Sequence, residues 1–401
     1  MSRKIGNVLS LFDGMSCGQQ ALERAGIKYN KYYASEIDKY AIKVTQHNYP
    51  NTIQLGSVTE VNVADLEPID LLIGGSPCQS FSFAGKRNGM TTSCNEEIYT
   101  LERYLELKAD GFQFEGESYL FWEYMRILTD IRKYNPDVLF LLENVEMGAK
   151  WERVLSEAIG IYGVHINSAL VSAQNRKRIY WTNIRVKKVG LFGELHSDIP
   201  QPEDRGILLK DILEDEVDEK YYLSDNAVTR LSNSDGDGFK STIKDGGDKS
   251  STILSTQHKL PRGMDLICVA MRGRNPDNPS DRTTGAPTEQ RLEPRRDGKT
   301  NTITSVQKDN LVMQLNERQQ RNFKNANEKA NSFLSTSWKG SQANGMTLVG
   351  NTRIRRLTPV ECERLQTVED NYTSCVSDTQ RYKMLGNGWT VEVIKHIFSF
   401  I

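Results

Sequence analysis

Apolar residues in the first half of the chain fall into short unbroken runs separated by stretches of helical spacing. Residues 7–12 and 31–36 read as strands; a helix follows each, the first over 19–25 and stopped by Gly26, the second through Ile42 and Val44. The same order recurs with a strand at 70–73, a helix over 120–134 and a strand at 138–142. Continuous apolar strands alternating with helices predict βαβ units and a mostly parallel, doubly wound α/β sheet covered on both faces. Between 86 and 117 an additional segment has helical spacing at Leu101, Tyr104, Leu105 and Lys108, consistent with either a docked surface helix or a loop that closes over a substrate.

Beyond Trp181 the texture becomes polar and rich in Gly and Asp. Stretches 249–256, 299–306 and 329–336 share one template, and second apolar stretches follow at 266–269, 311–313 and 347–349. Short β-branched runs between Asp/Asn/Gly turns predict hairpins, so 187–351 reads as a smaller, mainly β domain after a first domain of 1–186. In the tail, Val391, Val393, Ile394, Ile397 and Phe398 have helical spacing.

A chain of 401 residues accommodates one large α/β domain and a smaller one. The net charge of −1 advertises no polyanionic partner, yet arginines gather at 272–282, 291–296 and 353–356. Six cysteines without a C-x-x-C pair support neither a zinc site nor a disulfide framework and suit a reducing cytosol. The first residues turn directly into a strand, which leaves no room for a signal peptide, and no apolar run reaches membrane-spanning length.

The candidate chemistry sits at strand ends. Gly74-Gly75-Ser76-Pro77-Cys78 follows an apolar strand and places a thiol in the crevice where open α/β sheets bind ligands. Leu139-Phe140-Leu141-Leu142-Glu143-Asn144-Val145 carries a carboxylate at a strand's end, and Gln174-Asn175-Arg176-Lys177-Arg178 puts two arginines at alternate positions before another apolar run. A thiol, an acid and a guanidinium are the parts needed to add a nucleophile to a pyrimidine ring. The glycine turn Leu11-Phe12-Asp13-Gly14-Met15-Ser16-Cys17-Gly18 and the acid Glu36 are compatible with a nucleotide-type cofactor, although the missing G-x-G-x-x-G counts against a nicotinamide enzyme.

These motifs, followed in order by Arg356-Leu357-Thr358-Pro359 with Glu361 and Arg364-Leu365-Gln366, and by Leu385-Gly386-Asn387-Gly388-Trp389-Thr390-Val391, resemble those of the DNA (cytosine-5)-methyltransferases of prokaryotic and phage type. The resemblance implies an S-adenosylmethionine-dependent methyltransferase fold, with 187–351 as target-recognition domain and 352–401 returning to the catalytic domain. It implies that Cys78 adds to C6 of a cytosine flipped from double-stranded DNA, that Glu143 assists at N3 with burial keeping its proton on, and that Arg178 holds O2. Arg176 supports the loop or reaches phosphate, while Gln79, Ser80, Phe81 and Lys86 fill the gap in the duplex or grip its backbone. S-adenosylmethionine, leaving as S-adenosylhomocysteine, falls to Phe12, Asp13, Gly14, Gly18, Glu36, Ile37, Ser57, Val58, Pro77, Asn387 and Trp389. Gly14 and Gly18 admit it closely, and Glu36 accepts from the ribose hydroxyls. Ser57 stands where the family commonly has Asp, and its hydroxyl or a backbone group is the acceptor available to the adenine amino group. The resemblance further implies no metal, no membrane, a monomer in bacterial or phage-infected cytoplasm, and any cognate restriction endonuclease as a separate protein. A tRNA cytosine-5 methyltransferase and a catalytically silent DNA-binding relative are the rivals.

Overall fold

The unbroken apolar runs become the centre of a seven-stranded sheet in a computed structural model that describes residues 3–77, 91–92, 96–112, 114–208, 211–222, 266–274, 289–294, 311–314 and 353–401. Its strands are β1 (Asn7–Leu11), β2 (Tyr32–Ser35), β3 (Ile53–Gln54), β4 (Ile69–Gly75), β5 (Leu139–Val145), β6 (Val164–Asn167) and β7 (Lys177–Thr182). Their spatial order is β3-β2-β1-β4-β5-β7-β6, and β7 alone runs antiparallel to its neighbours. Every residue of β1 is buried, as expected of a strand covered on both faces. The chain reverses direction across the sheet between β1 and β4, so the crevice for a ligand opens at their carboxyl ends.

Helices α1 (Cys17–Arg24), α2 (Lys39–Asn48), α3 (Leu101–Ala109), α4 (Phe121–Tyr134), α5 (Ala149–Ile159), α6 (Asp378–Asn387) and α7 (Val391–Phe398) cover the sheet. One side of the core joins Leu9, Leu72, Phe140 and Leu142 to Phe121, Trp122 and Ile127 of α4. Gly74 and Gly75, read from sequence as part of a turn, are the last residues of β4, because parallel pairing with β5 continues to Gly75 beside Glu143.

The segment with helical spacing after residue 96 is a docked helix. Glu123 on α4 is fully buried and accepts from Tyr104 and Lys108 of α3, and from Arg126 Nε at 2.7 Å. Arg126 also donates to the Val58 and Val61 carbonyls, tying α4 to the loop after β3. Residues 86–90 and 93–95 of the additional segment lie outside the described residues.

Contacts divide the chain into two units. The first comprises Met1–Ser172, Arg176–Gly206 and Glu363–Ile401; the second comprises Ala173–Asn175 and Ile207–Cys362. A hairpin of β8 (Val186–Val189) and β9 (Glu194–Ser197) therefore belongs to the first unit. In the same unit α7 buries Val391, Val393, Ile394, Ile397 and Phe398, and its Glu392 faces Arg205 at 2.7 Å, Lys395 at 3.2 Å and Arg24 of α1 at 3.4 Å. Burial pushes the Glu392 carboxyl up, but the Arg205 hydrogen bond and the Lys395 charge more than offset it and hold it below the ordinary glutamate range.

In the second unit, β10 (Leu266–Arg274), β11 (Glu289–Pro294), β12 (Leu311–Gln314) and β13 (Arg353–Arg356) form an antiparallel sheet in the order β11-β10-β12-β13. The apolar stretches 266–269 and 311–313 lie in its strands, whereas 249–256, 299–306, 329–336 and 347–349 are outside the described residues. Because strand positions alternate between faces, the register places Arg272, Arg274, Arg291, Arg353 and Arg355 at positions of one face. Ile267, Val269, Met271, Leu292, Leu311, Met313 and Ile354 occupy positions of the other. No helix among the described residues is long and apolar enough to cross a membrane.

Glu123→Ala removes the closer of the two carboxylates of half-buried Arg126, leaving Asp130 at 3.6 Å, and should cost roughly 3 kcal/mol in chemical denaturation, with amide exchange rising first in Leu101–Ala109. Glu392→Gln should lower the melting temperature at neutral pH, since a depressed carboxyl contributes stability above its unfolded pKa. The gap between the two proteins should close as the pH falls through and below the glutamate range; a gap independent of pH would assign the loss to packing.

Candidate active site

The carboxyl edge of the sheet is built on backbone that costs energy to hold. Phe12 (φ 57°) and Ser16 (φ 63°) take left-handed conformations on either side of Gly14 (φ 58°), and each non-glycine residue there costs roughly 1 kcal/mol or more. Neighbouring groups impose the conformation. Glu36, just past β2, accepts from Gly14 N at 2.8 Å through Oε2 and from Ile37 N and Asp38 N at 2.8 Å through Oε1. Asp13 N donates to Ser35 O at 3.2 Å, and Tyr372 Oη donates to Met15 O at 2.8 Å.

Asp13 accepts from Tyr32 Oη at 2.8 Å through Oδ1, while its buried Oδ2 has no hydrogen-bond partner among the described residues. Burial raises the Asp13 carboxyl to about 6, against the lowering effect of the Ser10, Tyr32 and Ser16 hydroxyls; the Glu36 charge adds to the rise. Ile37 is 76% exposed, an unusual display of an aliphatic side chain at this edge. Phe12 is half-buried and Val58 buried. Ser57 caps a short 3-10 helix by accepting from Thr59 N, so its hydroxyl is partly engaged within its own loop.

Gly14 has open space where a side chain would begin, whereas a Cβ at Gly18 would lie 2.5 Å from Ile73 Cδ1 and 2.7 Å from Tyr32 Oη. The close approach that requires Gly18 is thus the packing of α1 on the sheet. Cys17, the thiol in this motif, is buried; burial pushes it up to about 12, although the Trp389 backbone N–H lowers it, which disqualifies it as a thiolate nucleophile.

Beside this turn, Pro77 is half-buried at the end of β4, and Cys78 with Gln79, Ser80, Phe81 and Lys86 lies outside the described residues. The strand ends on either side are well defined. Asn144 Nδ2 donates to Ser76 Oγ at 3.1 Å and Ser76 O at 3.3 Å, locking the start of the Pro-Cys segment to β5. Glu143, 8% exposed, has Arg178 Nε 2.9 Å from Oε1, a charge contact in which the N–H is not aimed along the bond. The contact follows from register: Tyr180 pairs with Glu143 and Arg178 with Val145, so Arg178 and Glu143 are diagonal neighbours on one face.

The tail reaches the same carboxylate. Trp389 Nε1 donates to Glu143 Oε2 at 3.2 Å. Arg176 is buried, 3% exposed, and donates to Gly386 O at 3.3 Å and Gly388 O at 2.8 Å, at the carboxyl end of α6 where a cation is favoured. Gln366 donates to Leu385 O at 2.7 Å and accepts from Thr390 Oγ1 at 2.9 Å. Asn387 is exposed at the end of α6. Gly75 makes room for all this: a Cβ there would lie 2.8 Å from Trp389 Nε1 and 3.0 Å from Glu143 Oε2.

The structure thus brings together Phe12, Asp13, Gly14 and Glu36 as one cluster, and Glu143, Arg178 and Trp389 as another. Tyr32, Gln366 and the spacing role of Gly75 were missed from sequence; Gln366 and Gly75 lie inside quoted motifs, whereas nothing in the local sequence marks Tyr32. No group of His, Cys, Asp and Glu among the described residues has the geometry to hold a metal ion.

Comparison with known proteins gives one consistent answer. The family model described as C-5 cytosine-specific DNA methylase matches residues 6–401. The orphan methyltransferase M.SPRI of Bacillus phage SPR is 28% identical, over 98% of this chain and 96% of its own length. The putative type II methyltransferase M.BsuMIIP of Bacillus subtilis is likewise 28% identical with the same coverage. In fold the chain is similar to the Entamoeba histolytica methyltransferase EhMeth, with TM-score 0.56, 14% identity and 99% and 98% of the two chains covered. A Spodoptera frugiperda DNMT2 variant gives TM-score 0.53 at 16% identity over 99% of each chain.

Gly75→Ala should cost roughly 1–3 kcal/mol in urea unfolding through overpacking. Adding Trp389→Leu should recover part of that loss; a double variant no more stable than Gly75→Ala alone would show that the indole is not what the methyl group strikes.

Proposed function

The chain belongs to the C-5 cytosine-specific DNA methylase family and is a DNA cytosine-5 methyltransferase, and on that premise we propose how its own residues divide the reaction. Cys78, as thiolate, attacks C6 of a cytosine rotated out of the duplex, since a thiol must approach from above the ring plane. The electron pair displaced from the C5–C6 bond runs to N3 and O2, where Glu143 delivers a proton to N3 and Arg178 holds O2. C5 becomes nucleophilic and takes the methyl group, N3 returns its proton to Glu143, and C5 gives its own proton to water; the C5–H electron pair restores the C5–C6 double bond and expels Cys78 as thiolate. The observation that carries this assignment is the Glu143–Arg178 contact, an acid and a guanidinium side by side next to the strand that leads into Cys78.

S-adenosylmethionine is the methyl source the family implies, and the residues present fit it: exposed Ile37, Glu36 at a strand end, and Asp13 Oδ2, which is buried and has no partner within hydrogen-bond geometry among the described residues. When bound it supplies an electrophilic methyl group and departs as S-adenosylhomocysteine. Glu36 has about four acceptor sites and uses three on backbone N–H groups, so it orients the Gly14 turn and keeps capacity for a ribose hydroxyl. Phe12, Ile37, Val58, Pro77, Asn387 and Trp389 line the pocket, with the open Gly14 turn as its floor and Ser57 near the adenine, while Gly18 serves it only through the packing of α1. Arg176, buried on helix carbonyls, orients the loop and does not reach phosphate.

We assign target recognition to residues 187–351 together with the strand Arg353–Arg356 that pairs with them, and closure of the pocket to the rest of 352–401. The arginine positions on one face of the second unit's sheet support a phosphate- and guanine-contacting surface, whose affinity for DNA should fall with salt. The enzyme acts as a monomer in bacterial or phage-infected cytoplasm, and any endonuclease that shares its site is a separate protein.

Incubation with tritiated S-adenosylmethionine and unmethylated plasmid, with tRNA in parallel, should label DNA alone, as 5-methylcytosine. Cys78→Ser should reduce the label by more than about 10³-fold while cofactor binding persists. Label confined to tRNA would overturn the substrate, and an active Cys78→Ser would overturn the nucleophile.

A further inference from the structure

We propose that Trp389 is a positioning residue for Glu143, so that the C-terminal segment sets the orientation of the carboxyl that meets cytosine N3. The proposal rests on the role given above to Glu143. Lining a pocket asks only for an aromatic surface, which would leave the direction of the indole N–H undetermined. Here it is determined: Nε1 donates to Glu143 Oε2 at 3.2 Å while Arg178 lies 2.9 Å from Oε1, so each carboxyl oxygen is met from a different side.

The indole is held from behind as tightly as it holds the carboxyl. The chain on either side of Trp389 is fixed by Arg176 on Gly388 O, by Gln366 on Leu385 O, and by Ser168 Oγ to Thr390 Oγ1 at 2.9 Å. Gln366, Ser168 and Arg176 are all buried. The opposite wall is Gly75, where a Cβ would lie 2.8 Å from Trp389 Nε1 and 3.0 Å from Glu143 Oε2, so its missing side chain leaves the space in which indole and carboxyl meet. A glutamate has three side-chain torsions, and the one directed donor on the Glu143 carboxyl is the indole on Oε2, with the Arg178 charge beside Oε1.

The experiment is a double-mutant cycle on the full-length protein: wild type, Trp389→Phe, Glu143→Gln and the double variant. Single-turnover methyl transfer to plasmid DNA is measured with cofactor affinity by calorimetry and melting temperature for each. Trp389→Phe should slow transfer about three- to tenfold, the worth of one hydrogen bond, with cofactor affinity changed less than about twofold. In the Glu143→Gln background the same change should cost less than about twofold. Equal losses in both backgrounds, or weaker cofactor binding with an unchanged transfer rate, would overturn the proposal and leave Trp389 a pocket wall. A fully active Glu143→Gln would instead overturn the role given to Glu143. Should Trp389→Phe melt at assay temperature, 3-benzothienylalanine at position 389, the same shape without the N–H, carries the same test.

Discussion

The parallel pairing of β4 with β5 places Gly75 beside Glu143, and the active edge depends on what is missing between them. Adjacent strands run about 4.8 Å apart, too close for a third side chain to stand between a carboxyl and an indole. Gly75 resolves this by contributing no atoms, while Gly74 does the same on the other side, where a Cβ would lie 3.1 Å from Leu11 O and the Tyr124 ring. The energies order the effects. A single neutral hydrogen bond nets about 1 kcal/mol, whereas forcing a methyl group into a filled space costs roughly 1–3 kcal/mol. The gap therefore constrains the site more strongly than the hydrogen bond that occupies it.

Charge is distributed with the same economy. The overall charge of −1 gives no hint of a polyanionic substrate. In the first unit many cations are spent internally: Arg176 on helix carbonyls, Arg24 and Arg205 on Glu392, Arg381 on the buried Glu363 at 3.0 Å. The buried ones, Arg176 and Arg381, contribute specificity of position when every partner is present, and become costly when one is removed. In the second unit Arg272, Arg274, Arg291, Arg353 and Arg355 instead recur at alternate strand positions of one sheet face, which they share with Glu289 and Glu293, while Arg356 holds a position of the other.

The central strands β1, β2, β4 and β5 of the first unit were legible because parallel strands buried on both faces leave unbroken apolar runs, as at Leu71-Leu72-Ile73, whereas β3, β6, α5 and α6 were not read. The end of β4 was not, since Gly74 and Gly75 look like a turn until their pairing with β5 is known. Glu143 and Arg178 were each legible within a motif, but their contact was not: it follows from an antiparallel register between strands whose pairing no local pattern encodes. The Trp389 contact spans 246 residues and depends on both the sheet order and the return of the tail. Gly18 shows a different limit. A glycine needed for a ligand and one needed for helix packing look identical in sequence, and only Tyr32 and Ile73 identify the second demand.

The first unit is assembled from both sides of a long excursion: α1 and the Met15 turn are held by Arg24 to Thr367 O and by Tyr372 to Met15 O, across residues 207–362. During synthesis, at roughly 5–20 residues per second, these partners emerge on the order of ten seconds or more after the strands they complete. Throughout that interval the nascent chain exposes the α1 surface that α7 later covers, and contacts of such high sequence separation form slowly. The fold thereby imposes an order of events on the ribosome: Glu143 has no indole beside it until Trp389 has been made, and α1 stays uncovered until α7 follows.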